Sequence, residues 1–140
     1  MSFKKKLGAV ALLSAIMTGV AVSPALAAEG SFSSSVTQVR AGFTSREWSD
    51  RNATADATIV TLGACKTNSG GGTPSANNLS SVEVALIKNG SIIGSKKQAC
   101  GSYSFARPGA GTYKFAIVAV NGSGGTQSRE FLNANVFVSY

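Results

Sequence analysis

The sequence has 140 residues, of which 13 are Lys or Arg and 6 are Asp or Glu, and its formal charge is +7. It contains no histidine, which excludes Ser-His and Cys-His catalytic pairs and every metal site built on imidazole. Neither a Gly-x-Ser-x-Gly nucleophile motif nor a Gly-x-x-x-x-Gly-Lys phosphate loop occurs. The sequence therefore favours a protein that is not an enzyme, and it predicts no catalytic residue, no cofactor and no metal site.

The first residues match the pattern of a secretory signal peptide. Three lysines at positions 4–6 precede an uncharged, mostly apolar run over residues 7–22, and Ala25-Leu26-Ala27 has the small-x-small form that signal peptidase cleaves. We predict that residues 1–27 are removed and that residues 28–140 form one secreted domain with no later membrane span. A retained membrane anchor is the alternative, although the run is shorter than the roughly 20 residues that cross a bilayer. The short lysine-rich start is typical of a bacterial protein.

The remaining sequence predicts an all-β domain. Short runs of β-branched and aromatic residues alternate with clusters of Gly, Asn and Ser, whereas no window shows the i, i+3, i+4, i+7 apolar spacing of a helix. Their number and spacing favour a small two-sheet β-sandwich of immunoglobulin-like architecture, with a small barrel as the alternative. The strands are predicted at residues 35–43, 57–65, 82–88, 91–97, 102–106, 112–120, 126–131 and 134–140.

Cys65 and Cys100 are the only cysteines in the chain. In an exported protein such a pair predicts a disulfide, with two free thiols as the alternative. The bond would join the end of the predicted strand at 57–65 to the approach of the strand at 102–106.

An Asn-Gly dipeptide at positions 89–90 predicts a tight hairpin, because both residues accept the positive φ angles of a type I′ turn. A two-residue turn pairs Lys88 with Ser91. The same register sets Leu86 opposite Ile93 and places both side chains on the core side.

A second hairpin is predicted around residues 107–111 (RPGAG). It would set Phe105 opposite Tyr113 and would give one face of the hairpin two aromatic pairs. The second pair is Tyr103 with Phe115. Strand aromatics are more often core than surface, so we interpret the four rings as core. A solvent-facing aromatic platform that binds a ligand is the alternative.

Removal of residues 1–27 takes away three lysines, which leaves 10 basic residues against 6 acidic ones and a charge of +4. The basic residues are scattered, and no run of them is longer than two. Because nucleic-acid binding needs a basic stripe or patch, the charge pattern predicts no nucleic-acid partner.

The segment at residues 44–54 (TSREWSDRNAT) is the least ordinary part of the mature sequence. It contains the only tryptophan, Trp48, between Arg46 and Arg51. Tryptophan and arginine are enriched at binding hot spots, so these three residues are the candidate binding residues. A buried core position is the alternative for Trp48.

The function expected from these features is binding outside the cell. We predict a secreted, non-enzymatic protein that acts at the cell surface or in the extracellular matrix, with an extracellular protein or a cell-surface polymer as its partner. An inhibitor of a secreted hydrolase is one alternative, with residues 66–80 or 44–54 as its contact loop. A cationic antimicrobial protein or toxin is the other, although the sequence lacks the amphipathic helix with which such proteins enter membranes.

Overall fold

Two β-sheets packed face to face make up the computed structural model, which describes residues 29–140. The strands are β1 (Ser31–Val39), β2 (Trp48–Asp50), β3 (Ile59–Ser69), β4 (Val82–Lys88), β5 (Ser91–Gln98), β6 (Gly101–Ser104), β7 (Gly111–Val120), β8 (Ser123–Gly124) and β9 (Glu130–Ser139), and a 3₁₀ turn spans Ala76–Asn78. The first sheet has the order β1-β9-β3-β6, and the second has the order β2-β7-β4-β5 with β8 also paired to β7. The predicted all-β, two-sheet fold is confirmed. The signal peptide predicted at residues 1–27 lies outside the described residues, and within them no helix has the length and apolar character needed to cross a bilayer.

Alternating side chains explain why the first sheet has one buried and one solvent-facing side. In β9, every second residue from Leu132 to Val138 is buried, whereas the residues between them are half-buried or exposed. Antiparallel pairing of β9 with both β1 and β3 extends this alternation across the sheet. The inner side of the sheet therefore packs on the core, and the outer side is free to contact a partner.

The core between the sheets is rich in aromatic side chains. Tyr103, Tyr113 and Phe115 are at most 1% exposed, which confirms the prediction that these rings are core. Phe105 is only partly buried and packs against the core from its margin. Burial of an apolar side chain of this size stabilises the fold by about 1.5–3 kcal/mol relative to exposure.

The prediction that residues 107–111 close a hairpin is wrong. β6 pairs with β3 in the first sheet, whereas β7 pairs with β2 and β4 in the second sheet. Tyr103 lies opposite Val60, and Tyr113 lies opposite Trp48, so the aromatic residues are not cross-strand partners of one another. The Pro-Gly segment crosses from one sheet to the other, and turn-forming residues are compatible with a crossover as well as with a hairpin.

The hairpin at residues 89–90 is confirmed, but its register differs from the predicted one. Leu86 lies opposite Gly94 rather than Ile93, because β5 contains one extra residue at a bulge. Leu86 is fully buried, whereas Ile93 is 46% exposed and is not part of the core.

The predicted disulfide between Cys65 and Cys100 is present, and the two Cα atoms are 6.0 Å apart. Cys65 belongs to β3 in the first sheet, and Cys100 lies in the turn between β5 and β6. Since β5 and β6 belong to different sheets, the bond ties the first sheet to the connection that leads from the second.

The polar stretch at residues 66–80 is only partly a loop. β3 continues into it, and Thr67 forms an isolated β-bridge with Ser75. At the far end, the Oδ1 atom of Asn121 accepts a hydrogen bond from the backbone N–H of Ser80 at 2.8 Å. These contacts tie the stretch to the rest of the sandwich at both ends.

Candidate binding surface

Trp48 lies in the core and is only 6% exposed. The centroid of its ring system is 5.6 Å from that of Phe32, 6.0 Å from that of Tyr113 and 5.9 Å from that of Tyr140. Trp48 therefore has the buried core position that the sequence analysis gave as the alternative. Of the three candidate binding residues, only the two arginines are exposed enough to contact a partner.

Arg46 and Arg51 are both exposed, and each has a structural contact of its own. The guanidinium carbon of Arg46 lies 3.9 Å from the ring centroid of Phe32, which is a cation–π arrangement. The Nε atom of Arg51 is 3.1 Å from Oε1 of Glu29. Hydrogen bonds from the backbone N–H of Ala53 and from Arg51 hold the pKa of the Glu29 carboxyl below its ordinary value. The binding role of Arg46, Trp48 and Arg51 stays a prediction, and the structure does not gather the three side chains into one exposed patch.

The two acidic residues that flank Trp48 have separate partners. The Oε1 atom of Glu47 lies 3.9 Å from Nζ of Lys114, and Glu47 is largely exposed. Asp50 is buried, and its Oδ1 atom accepts a hydrogen bond from the backbone N–H of Asn52 at 2.6 Å. Burial, together with the nearby Asp50 carboxylate, raises the pKa of the Tyr113 phenol. Between residues 29 and 140, no three His, Cys, Asp or Glu side chains are grouped so that they could hold a metal ion.

The part of the outer side of the first sheet that lies before the register shifts of β1 and β3 is a second candidate surface, and we call it the serine face. Its outward-pointing residues are neighbours across four strands. Ser33 lies opposite Phe137, which in turn lies opposite Thr61, and Thr61 lies opposite Ser102. The members of the serine face are Ser31, Ser33, Ser35, Ile59, Thr61, Gly63, Ser102, Ser104, Asn135, Phe137 and Ser139.

Phe137 is the large exposed side chain of the serine face, with 45% of its surface accessible to solvent. Its cross-strand neighbours, Ser33 and Thr61, are too short to cover the ring. The hydroxyl oxygens of Thr61 and Ser102 are 2.9 Å apart and form a hydrogen bond. The side chains of Ser33 and Asn135 make no hydrogen bond within the described part of the chain, so their donors and acceptors face outward.

None of the members of the serine face is charged. The outer side of the second sheet differs, because Glu83 lies opposite Lys97 there and Lys114 lies near Glu47. Soluble proteins usually intersperse charges of both signs over their surfaces. An uncharged surface that crosses four strands is therefore a distinguishing feature of this molecule.

The sequence contains only a weak signal for the serine face. Apolar residues alternate along residues 134–138, and the structure buries Ala134, Val136 and Val138, but this alternation assigns no role to Asn135 or Phe137. The serines between residues 31 and 35 belong to β1, whereas the strand predicted from the sequence begins only at residue 35. Outward positions of separate strands become one surface only when the order of the strands is known, and local sequence does not show that order.

Comparisons with known proteins supply no functional assignment. No known protein family matches this chain, and no curated protein shows significant sequence similarity to it. The function is therefore argued from the chemistry of the surface.

Proposed function

We propose that this chain is a secreted, non-enzymatic protein that binds a polysaccharide at the cell surface or in the extracellular matrix through the serine face. The observation that carries the proposal is the exposed Phe137 ring within an uncharged surface of hydroxyl and amide groups. These groups project from a four-stranded sheet, so the scaffold holds them in fixed relative positions.

The chemistry of a sugar ring matches this surface in two ways. One side of many pyranose rings presents C–H groups, which lose contact with water when they pack on an aromatic ring such as Phe137. The sugar hydroxyls donate and accept hydrogen bonds, as do the hydroxyl of Ser33 and the amide of Asn135. Because the surface is uncharged, binding there does not remove an ionised protein group from water.

The shape of the serine face suits an extended chain. With a rise of about 3.4 Å per residue, the outward positions of β9 from Asn135 to Ser139 span about 14 Å. Four strands spaced about 4.8 Å apart give a similar width. A polymer can occupy such an area with several repeating units, and the weak contacts of each unit then act together.

Three features support the location and the non-enzymatic role in this proposal. The Cys65–Cys100 disulfide is of the kind that persists in oxidising compartments, and residues 1–27 have the pattern of an export signal. A chain without histidine also lacks the side chain that most often transfers protons near neutral pH.

Co-sedimentation with insoluble cellulose and chitin, and affinity electrophoresis in soluble galactomannan, test the proposal. We expect the secreted protein to bind at least one of these neutral polymers. Phe137→Thr keeps a strand-forming residue but removes the ring, and it should weaken binding by about five-fold because an aromatic contact contributes about 1 kcal/mol. Ile92→Thr is the matched control, because Ile92 is 65% exposed but lies on β5 in the second sheet.

Binding that is lost equally in both variants would contradict a role for the serine face. Failure of all three neutral polymers, together with failure of the galacturonate oligomers described below, would contradict the proposed function. If the protein then inhibited a secreted hydrolase or permeabilised bacterial cells, the inhibitor or the antimicrobial alternative would replace it.

A further inference from the structure

A pocket opens beside the serine face, where β9 is flanked by irregular pairing on both sides. β1 shifts its register against β9 between Val36 and Val39, and β3 shifts between Gly63 and Lys66. Extra residues at such bulges leave the hydrogen-bonded ladder and change the direction of neighbouring side chains. We call this depression the bulge pocket. Its polar lining residues are Ser35, Thr37, Lys66, Asn133 and Asn135.

Each bulge holds a non-glycine residue in the left-handed conformation. Gln38 has a φ of 53°, and Ala64 has a φ of 49°. A residue with a Cβ atom is disfavoured there, and such strained positions cluster at functional sites. Two of them on opposite sides of the same part of β9 indicate that the depression is specified by the fold.

Asn133 supplies a hydrogen-bond donor that has no internal partner. Its Oδ1 atom accepts the backbone N–H of Gln38 at 2.9 Å, which sets the orientation of the amide. Its Nδ2 atom is buried and has no acceptor among residues 29–140. Buried donors are almost always paired in folded proteins, so this unpaired nitrogen distinguishes the bulged part of β9 from an ordinary strand.

Among residues 29–140, Lys66 is the only charged residue that lines the bulge pocket. It lies opposite Asn133 in the pairing of β3 with β9, and it is exposed. Within the described residues, no carboxylate forms an ion pair with its ammonium group. An uncompensated cation among hydroxyl and amide side chains favours an oxyanion over a neutral hydroxyl.

We propose that the bulge pocket binds the carboxylate of an acidic sugar unit within a polysaccharide that lies on the serine face. Lys66 contacts the carboxylate oxygens, while the neighbouring hydroxyl and amide side chains bind hydroxyls of the same unit. Asn135 belongs to both surfaces, so one extended chain reaches the pocket directly from the serine face. This inference rests on the proposed function and adds the class of ligand, a polymer that contains uronic acid.

Two forms of one polymer separate the effect of the carboxylate from that of the sugar backbone. Galacturonate oligomers carry a carboxylate on each unit, and their fully methyl-esterified form has the same backbone without the charge. We expect the secreted protein to bind the acid form about ten-fold more tightly than the ester at physiological ionic strength, measured by isothermal titration calorimetry. Lys66→Gln should abolish this preference and leave binding to the ester unchanged.

Lys97→Gln is the matched control, because it removes an equal charge from β5 in the second sheet. It should leave the preference for the acid intact. If both lysine variants lower the affinity for the acid equally, the attraction is general and the bulge pocket is not the site. If acid and ester bind equally while Phe137→Thr weakens both, the proposed function stands and this inference is wrong. If neither form binds and the neutral polymers also fail, the proposed function is itself wrong.

Discussion

Trp48 and Phe137 have opposite environments in the same sandwich. Trp48 lies in a segment rich in charged residues, yet it is 6% exposed and is surrounded by other rings. Phe137 lies in an apolar strand, yet it is 45% exposed among short uncharged side chains. The polarity of sequence neighbours therefore does not decide whether a strand residue is buried. What decides it is the side of the strand on which the residue lies and whether another sheet covers that side.

Replacing Trp48 by alanine should change the stability more than any other substitution that tests this comparison. We expect Trp48→Ala to lower the free energy of unfolding by about 3–5 kcal/mol, because a large buried ring is removed and a cavity is left. Chemical denaturation with the transition followed by circular dichroism measures this loss. A variant that keeps its stability but loses its partner would return the binding site to the segment around Trp48.

The disulfide lies on the inner side of the first sheet, whereas Phe137 lies on its outer side. Removing the disulfide therefore tests whether the inner side controls stability without affecting binding. Cys65 and Cys100 are 35 residues apart, and loop-closure entropy predicts that replacing both by alanine destabilises the fold by about 4 kcal/mol. Polysaccharide binding by the molecules that remain folded should be unchanged, because Cys65 is 5% exposed and lies on the inner side. Denaturation midpoints and co-sedimentation measure the two effects, and an unchanged midpoint would contradict the stabilising role.

The class of fold could be predicted because its signals are local. Two of the signals can be recognised within a few residues: the alternation of apolar residues and the Asn-Gly turn at 89–90. The third is the cysteine pair, which needs only the rule that two cysteines in an exported protein form a disulfide. The pairing of β6 with β3 could not be predicted in the same way. It depends on which distant strand fits beside β6, and residues 107–111 are compatible with both outcomes. The extra residue on β5 also changed the environment of Ile93, since a shift of one residue exchanges the two sides of a strand.

The candidate surface was harder to predict than the fold. Trp48 and its arginines attract attention because their residue types are common at interfaces, but residue type does not show exposure. The serine face is assembled from β1, β9, β3 and β6, which are widely separated in the chain. Its short polar residues are individually ordinary, and they become informative only as neighbours of an exposed ring such as Phe137.

The contrast between buried and exposed positions also occurs within the single strand β6. Tyr103 is buried, whereas its neighbours Ser102 and Ser104 belong to the serine face. Burial raises the pKa of the Tyr103 phenol to about 12, above the ordinary value of about 10. Between these pH values the unfolded chain has lost the phenolic proton and the folded chain retains it. Rising pH therefore favours unfolding, and stability on the order of 2–3 kcal/mol is lost between about pH 10 and 12.

Urea denaturation between pH 9 and 12 measures this loss, with Tyr103→Phe as the reference variant. The phenylalanine variant lacks the titrating group and should show a shallower decline, although it also loses the hydrogen bond from the hydroxyl to the carbonyl oxygen of Val82 at 3.2 Å. Equal declines in both proteins would show that Tyr103 does not control stability at high pH.

Phe137 should give the smallest change in stability of the four tests. The residue is exposed, and Phe137→Thr keeps good strand propensity, so the free energy of unfolding should change by no more than about 0.5 kcal/mol. The same substitution is expected to weaken polysaccharide binding. Phe137→Thr should therefore affect binding more than stability, whereas Trp48→Ala should affect stability more than binding. A loss of stability as large as that of Trp48→Ala would show that the ring is covered in solution. In that case another part of the chain or a second copy covers the serine face, and the surface is not available to a polymer.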